Sequence, residues 1–357
     1  MQGYSLFFKL HYDYKINKTI IHSDFRFTYK TAQDIIDNKS GVFFRELFLL
    51  DSFAKKLRKK REKNGSIKFE SSEVKFVLDK TNNPIGLSLK ESLSTNFLIE
   101  EFMLLANKTV AKHIGFPKKK SKPFVYRIHD IPDEEKIKNL TGLVKKFGYV
   151  INNKNPQELS KSLNVLLEKV KGKQEQRLIE TLTVRSMSKA VYSTNNIGHY
   201  GLGFNFYSHF TSPIRRYPDL IVHRLLEKHI SNKKPDEKYS LDSLCKHCSE
   251  MEKKASMAER DSIKYMQVRF LEKELGSVYS GVISGVTDWG LYVVITENTC
   301  EGLVKISSLK DDHYVYDEKK HALIGYRKKK YYQLGQKVKI KVKKADLEKK
   351  QLDFVLI

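Results

Sequence analysis

Thr211-Ser212-Pro213-Ile214-Arg215-Arg216 sets two hydroxyls, a proline and two adjacent guanidinium groups side by side. Hydroxyls and proline suit the start of a helix, where free N–H groups favour anions. Arg215 and Arg216, projecting from such a turn, would present forked donors that match a phosphodiester in charge and shape. Arginines at a helix start are also ordinary surface decoration, so these residues alone leave both readings open.

The elements that must position them can be read from periodicity. Residues 4–30 alternate apolar and polar side chains and predict paired strands turning at Asn17-Lys18. Phe43, Leu47, Leu50, Ala54 and Leu57 predict an amphipathic helix closed by Asn64-Gly65. Strand-like runs follow at Ser66–Phe69 and Val74–Leu78 and, past the turn Asn82-Asn83-Pro84, at Ile85–Leu89. A stronger helix runs from about Asn96 to His113. Pro132-Asp-Glu-Glu135 opens another, with acids at its positive dipole end. Leu159, Leu163, Leu166 and Val170 stripe the next. After about Ile179 the chain reads as helix again, then as a loop from Ser193 to roughly Pro213, and 240–275 as one long charged helix. Residues 1–270 thus predict a mixed α+β domain. From 276 to 357 five short β-rich runs alternate with turns, the pattern of a five-stranded OB-type barrel.

Charge narrows the partners. Lys and Arg number 66 against 42 Asp and Glu, a formal excess of +24, which points to a polyanion without separating RNA, DNA and anionic membrane. A lysine-rich solvated surface is the plain alternative. No apolar run is long enough for a transmembrane helix, and the N-terminus lacks the pattern of a signal peptide. Three cysteines make no disulfide framework, so a reducing cytoplasm is expected. Cys245-Lys-His-Cys248 has no second ligand pair at zinc spacing and lies in the long helical stretch.

The run from His199 to Arg224, HYGLGFNFYSHFTSPIRRYPDLIVHR, resembles the signature of the RNase II/RNase R family, whose catalytic module is the RNB domain. That family degrades RNA processively from the 3′ end to nucleoside monophosphates. The resemblance implies that Arg215 grips the scissile phosphate, with Arg216 beside it as an RNA contact. Leu98-Ile-Glu-Glu-Phe-Met-Leu-Leu-Ala-Asn107 is similar to the family's LIEE…LAN helix and implies that Glu100 contacts the terminal nucleotides. As a residue in its own right, Glu100 is equally a first-turn acid on a helix. Gly65-Ser-Ile-Lys-Phe-Glu70 resembles the strand whose phenylalanine clamps the 3′-terminal bases, giving Phe69 that role, with ordinary core packing as its alternative. Arg26-Phe-Thr-Tyr29 matches the segment whose tyrosine helps sense the ribose 2′-OH, which implicates Tyr29. Met257-Ala-Glu-Arg-Asp261 resembles the run that follows the signature and implies a place for Glu259 near the catalytic centre.

The last 80 residues resemble the small RNA-binding barrel named after a ribosomal protein, the S1 domain, through Gly281–Val294 and Glu301–Leu309. That likeness implies base stacking on Trp289 and Tyr292, with Tyr314 joining them; many relatives carry His where this chain has Lys305, a departure that would trade a stacking ring for a phosphate contact. Signature, MAER run and S1 barrel follow one another in the order found in RNase R. The resemblance thus covers nearly the whole chain and implies a truncated RNB domain over 1–270 and an S1 barrel over 276–357, with single-stranded RNA as partner.

One part of the family pattern is missing. Its catalysis uses aspartates in a short acidic run that hold two Mg2+ ions about 4 Å apart, and no run here resembles it. Asp51, Asp79, Asp130 and Asp219 are dispersed and read as caps or turn residues. The chain is therefore expected to begin inside the RNB domain, past the metal ligands and the cold-shock barrels. Three functions remain: an RNase R-like 3′→5′ exoribonuclease whose N-terminal half is supplied elsewhere, a catalytically inactive RNA-binding remnant, or a basic ribosome-associated factor that uses the barrel alone. The third leaves the signature unexplained.

Overall fold

Most helices form where apolar spacing places them in the computed structural model, which describes residues 2–8, 14–68, 73–90, 92–116, 122–173, 175–233, 240–317 and 322–357. β1 (Gln2–Phe8) pairs antiparallel with β2 (Tyr14–Ile20). Asn17 and Lys18 face Ser5 and Tyr4 inside this ladder, so the chain reverses before them, not at them. α1 (Tyr29–Asn38) has no counterpart in the sequence reading; Thr28 and Thr31 build a reciprocal capping box at its start. α2 (Phe44–Lys63) ends at Asn64, and Gly65 takes the positive φ of +94° that lets the chain turn away.

Ser66 to Lys68 form no strand, and Phe69 lies outside the described residues. β3 (Glu73–Leu78) and β4 (Pro84–Lys90) make a hairpin, with Asp79 accepting from the N–H groups of Thr81 and Asn83. α3 (Ser94–Gly115) follows. β5 (Tyr126–Ile128) and α4 (Glu134–Lys146), capped by Asp133, come next. α5 (Pro156–Val170) is capped by Asn155 and leads to α6 (Gln176–Ser186). β6 (Val191–Ser193) returns to pair with β5, a three-residue ladder too short to show in a periodicity count. α7 (Tyr217–Ile230) and α8 (Leu241–Leu271) complete this part.

The remainder is β7 (Val278–Thr287), β8 (Gly290–Ile295), β9 (Glu301–Lys305), β10 (Tyr314–Asp317), β11 (Ala322–Gly325), β12 (Tyr331–Gln333), β13 (Lys337–Asp346) and β14 (Gln351–Leu356). Five of them close a barrel in the order β7-β8-β9-β14-β13, antiparallel except for the β9–β14 pair. That is the topology of an OB-fold. β10, β11 and β12 form a separate sheet between β9 and β13, which the sequence reading did not separate from the loops.

Three larger apolar clusters hold these layers. One packs the end of α3 (Val110, Ile114) against Phe124, Phe210 and the inner face of α7. A second lies among α4, α5 and α6. The third fills the barrel and continues without a break into Leu178 of α6 and Val268 and Leu271 of α8. Barrel and helical layers therefore share one core, and the long helix α8 carries the link.

Candidate nucleic-acid interface

α3 is the spine of the site. At its first turn Thr95 Oγ1 donates to the Tyr29 carbonyl (2.9 Å), while its N–H donates to Gln33 Oε1 (3.1 Å), which fixes the start of α1. Two turns on, Arg61 from the end of α2 donates to buried Glu101 through Nε (3.0 Å) and Nη2 (2.5 Å) and reaches Glu100 Oε1 at 3.2 Å. Glu101 thus anchors the helix pair, and Glu100 stays 41 % exposed at its edge. Asn107, fully buried, then meets the signature loop. Its Oδ1 accepts from the N–H groups of Phe210 (2.9 Å) and Thr211 (3.2 Å), and its Nδ2 donates to Tyr207 Oη (3.2 Å). At 1.5 Å per residue, the Thr95 and Asn107 anchors lie about 18 Å apart along one rigid helix.

The loop differs from its sequence reading. Thr211-Ser212-Pro213 does not start the helix: residues 212–216 form a tight turn, with Arg215 and Arg216 N–H groups donating to the Ser212 carbonyl, and α7 begins at Tyr217-Pro218. The physical reason is Asp219. Its fully buried carboxylate accepts through Oδ1 from the Ser212 N–H and from Arg216 Nη2, both at 2.8 Å. Phe210, Thr211 and Ser212 thus have their N–H groups satisfied by two buried side chains and offer none to an anion. Anion recognition is left to side chains. Arg216 is held inward by Asp219, whereas Arg215 is exposed and its guanidinium has no hydrogen bond or ion pair among the described residues.

Electrostatics around the loop are positive. The ring of His209 donates or accepts at Tyr192 Oη (2.8 Å), and its pKa falls to about 2, first by burial and then by the charges of Arg216 and Arg127. Burial also brings His199 down to about 3, with His129 and Arg127 adding to the effect. Both rings are neutral at pH 7. Arg127 lies over the Tyr192 ring (4.6 Å) and forms a bidentate pair with Glu252 of α8 (2.6 and 3.0 Å). The β5–β6 ladder, the loop and α8 are locked together there.

Of the residues singled out from sequence, Tyr29, Glu100 and Arg215 project from elements that α3 ties together. Tyr29 is exposed at the first position of α1. Glu259 is exposed on α8, with no ion pair to Arg260 or Lys264 and no bond to the Arg215 loop among the described residues. Trp289 is 55 % exposed in the β7–β8 turn and donates through Nε1 to Tyr292 Oη (3.2 Å), setting two rings on one barrel face. Gly290 makes that turn: a Cβ there would collide with the Val304 carbonyl. Lys305 is paired with Asp353 (2.8 Å). Tyr314 is corrected to a core residue. It is 4 % exposed, packs its ring on Tyr332 at 5.4 Å and hydrogen-bonds Asp311, so its faces are covered. Asn107, Asp219 and the Arg61–Glu101 pair were missed as site residues. Only the adjacency of Asn107 and Asp219 to the motifs could have signalled them.

No group of three or more His, Cys, Asp or Glu able to hold a metal occurs among the described residues. Asp51 is buried in mid-helix, accepting from Ser94 and paired with Lys55, rather than acting as a cap. Asp219 is committed to Ser212 and Arg216, and its second oxygen is enclosed beside a guanidinium, where a cation would be repelled. Glu101 is neutralised by Arg61. These carboxylates do not fit a magnesium site, which needs several oxygens converging on one point.

Comparison with known proteins fits this geometry. The RNB domain profile matches residues 8–232 and the S1 RNA binding domain profile residues 272–356. Ribonuclease R of Aquifex aeolicus is 37 % identical over 354 residues, and that of Thermotoga maritima 39 % over 366; each alignment covers 96 % of this chain and 50 % of the relative. The solved structure of Mycoplasma genitalium RNase R in complex with ribose methylated single-stranded RNA superposes with a TM-score of 0.89 at 28 % identity, over 97 % of this chain and 55 % of that one. The chain spans about half the length of the curated relatives it matches.

Proposed function

Because this chain belongs to the RNB domain family, we propose that it is the RNA-gripping half of a ribonuclease R-like 3′→5′ exoribonuclease, which shortens single-stranded or structured RNA processively to nucleoside 5′-monophosphates in RNA turnover. The observation that carries this is Arg215: an unpaired, exposed guanidinium on a loop held by two buried side chains, Asn107 and Asp219. A loop held in this way fixes the backbone from which Arg215 projects, so only side-chain order is lost on binding phosphate.

In this reading RNA reaches the barrel first. Trp289 and Tyr292 stack bases without choosing among them. Glu100 and Tyr29 meet the sugar edge of the 3′ end near the start of α3, with Phe69 as a clamp, and Arg215 steadies the phosphate. Glu259 lies beyond these on α8 as an acid near the reacting end, Arg216 supports Arg215 rather than touching RNA, and Lys305 can reach a phosphate by releasing Asp353.

RNB enzymes generally depend on magnesium, and the carboxylates present here do not fit it. The ligands would come from the N-terminal half of such an enzyme. Support for that partner comes from exposed apolar side chains on the first segment. Ile20, Ile21, Phe25, Phe43, Phe48 and Leu49 are each about half or more exposed. Exposed apolar side chains of this kind favour a docking surface for such a partner. The absence of converging carboxylates among the described residues favours one alternative, an RNA-binding fragment without catalysis.

The purified chain with Mg2+ and a 3′-tailed RNA is expected to bind without shortening the RNA. Adding the N-terminal half of a ribonuclease R should restore shortening. In that reconstituted enzyme Arg215→Ala should lower turnover far more than binding; equal loss of both would refute its role. Failure to bind single strands would refute both readings.

A further inference from the structure

Outside the loop, a second basic concavity opens between the end of α2, the last turns of α3, the start of α5 and the turn after Gly203. It is about 560 Å3 and is lined by Lys63, Lys108, Lys112 and Lys161 together with Phe116 and Phe206, and no carboxylate lines it. A volume of this size is that of a small-ligand site. The lysines converge from three different helices, so the cluster is a product of the fold and not of one charged run.

Four ammonium groups facing one hollow repel one another, and a bound anion would relieve that. Lys108 lies over the Phe204 ring at 4.8 Å and Lys112 near the Phe116 ring at 6.0 Å, so aromatic faces, not acids, are their neighbours. Burial, then the charges of Lys60 and Lys112, push the Lys108 pKa down. The first turn of α5, at Gln157, adds the positive end of a helix dipole. Phe116 is 65 % exposed and is held edge-on by Phe206 at 6.1 Å. An exposed, oriented ring beside unneutralised lysines is the combination that binds single-stranded nucleic acid: phosphates on the cations, a base on the ring.

We propose that this pocket is a second RNA contact, separate from the Arg215 loop, where phosphates of a single-stranded segment lie on Lys63, Lys108, Lys112 and Lys161 and a base stacks on Phe116. Choosing RNA as the polyanion rests on the function proposed above; the convergence of cations and aromatic ring does not. Lys108 follows Asn107 on α3, so the two contacts share one helix, and the pocket begins within a turn of the loop's anchor. A strand held at both has its path fixed along α3.

The test uses the full chain and a 20-nucleotide oligouridylate, with affinity measured by fluorescence anisotropy across a series of KCl concentrations. Replacing Lys108, Lys112 and Lys161 together with Gln should flatten the log–log salt slope by about 2, near 0.7 for each phosphate released. Phe116→Ala should weaken binding about 5- to 150-fold while leaving that slope in place. Photo-crosslinking of 5-iodouridine-substituted RNA to the unaltered protein should label Phe116, which guards against misfolding of the triple variant. Binding by the wild type with an unchanged slope in the triple variant and crosslinks only elsewhere would overturn the pocket alone. Loss of slope with no effect of Phe116→Ala and no crosslink there would reduce it to general ion exchange, which also overturns it. No binding by the wild type would remove the RNA reading as a whole.

Discussion

Asp219 allows the positioning of Arg215 to be tested without touching Arg215. Asp219→Ala removes one fully buried carboxylate and strands two donors, the Ser212 N–H and Arg216 Nη2, each 2.8 Å from Oδ1. Breaking a buried pair by deleting one partner costs about 3–5 kcal/mol. The lower end applies, because the Arg216 side chain is 20 % exposed and can turn to water. About 3 kcal/mol corresponds to a roughly 150-fold increase in local opening. Asp219→Asn keeps an oxygen at the same place and loses only charge assistance, about 1–1.5 kcal/mol, or roughly tenfold. Hydrogen–deuterium exchange over the loop peptide measures both. The Ser212 amide should lose about two decades of protection in the Ala variant and one in the Asn variant, with distant peptides of the barrel unchanged. Wild-type protection in both variants, or Asn as damaging as Ala, would refute the account of Oδ1 as a shared acceptor that holds the loop.

Trp289→Ala should weaken single-strand binding by about 1–3 kcal/mol in anisotropy titrations without altering barrel stability; an unchanged affinity would remove that ring from the interface. Tyr314→Ala should do the reverse, destabilising the barrel by about 3–5 kcal/mol in urea melts, since it empties a core position. Arg61→Ala should cost a similar amount by leaving Glu101 buried and unpaired, and a loss under 0.5 kcal/mol would count against that pair as an anchor. For pH the sign follows from the histidines. Burial holds His199 and His209 at folded pKa values of about 3 and 2, below the ordinary histidine value of 6.5. The unfolded chain takes up protons below pH 6.5 that the folded chain refuses, so their stabilisation is complete above that pH. It is lost as pH falls toward 3, by about 1.4 kcal/mol per unit for each ring. Melting temperatures measured from pH 7.5 to 5 should fall, and His209→Gln should flatten the trend.

Much of this was legible in the sequence because periodicity reports burial directly. The stripes Ile137-Leu140-Val144 and Leu159-Leu163-Leu166-Val170 became the core of α4 and α5, and five β-rich runs became the barrel. Illegible features were those decided by long-range partners. Asp219 and Asp79 look alike in sequence, yet one is a buried acceptor seven residues from its donor and the other a turn residue. Tyr314 and Trp289 are both aromatic residues beside polar ones. Only the β10–β12 sheet, absent from the periodicity reading, decides that the first is covered and the second is not. The helix start was misplaced for the same reason: the hydroxyls of Thr211 and Ser212 mimic a cap, but Asp219 reaches back and makes the segment a turn.

The charge pattern separates binding from magnesium in a testable way. Three acids near the loop are matched by arginines: buried Glu101 with Arg61, buried Asp219 with Arg216, and part-exposed Glu252 with Arg127. Bases such as Arg215 point outward, and the excess over the chain is +24. With these three carboxylates engaged and no group of three or more metal-ligating side chains among the described residues, RNA affinity is expected to rest on counterion release and base stacking, neither of which needs a divalent cation. At fixed ionic strength, replacing Mg2+ by EDTA and compensating KCl should leave oligouridylate affinity unchanged within a factor of two, whereas doubling KCl should weaken it severalfold. A chain that needs Mg2+ to hold RNA would contradict the pairing of these acids and return them to the site as ligands.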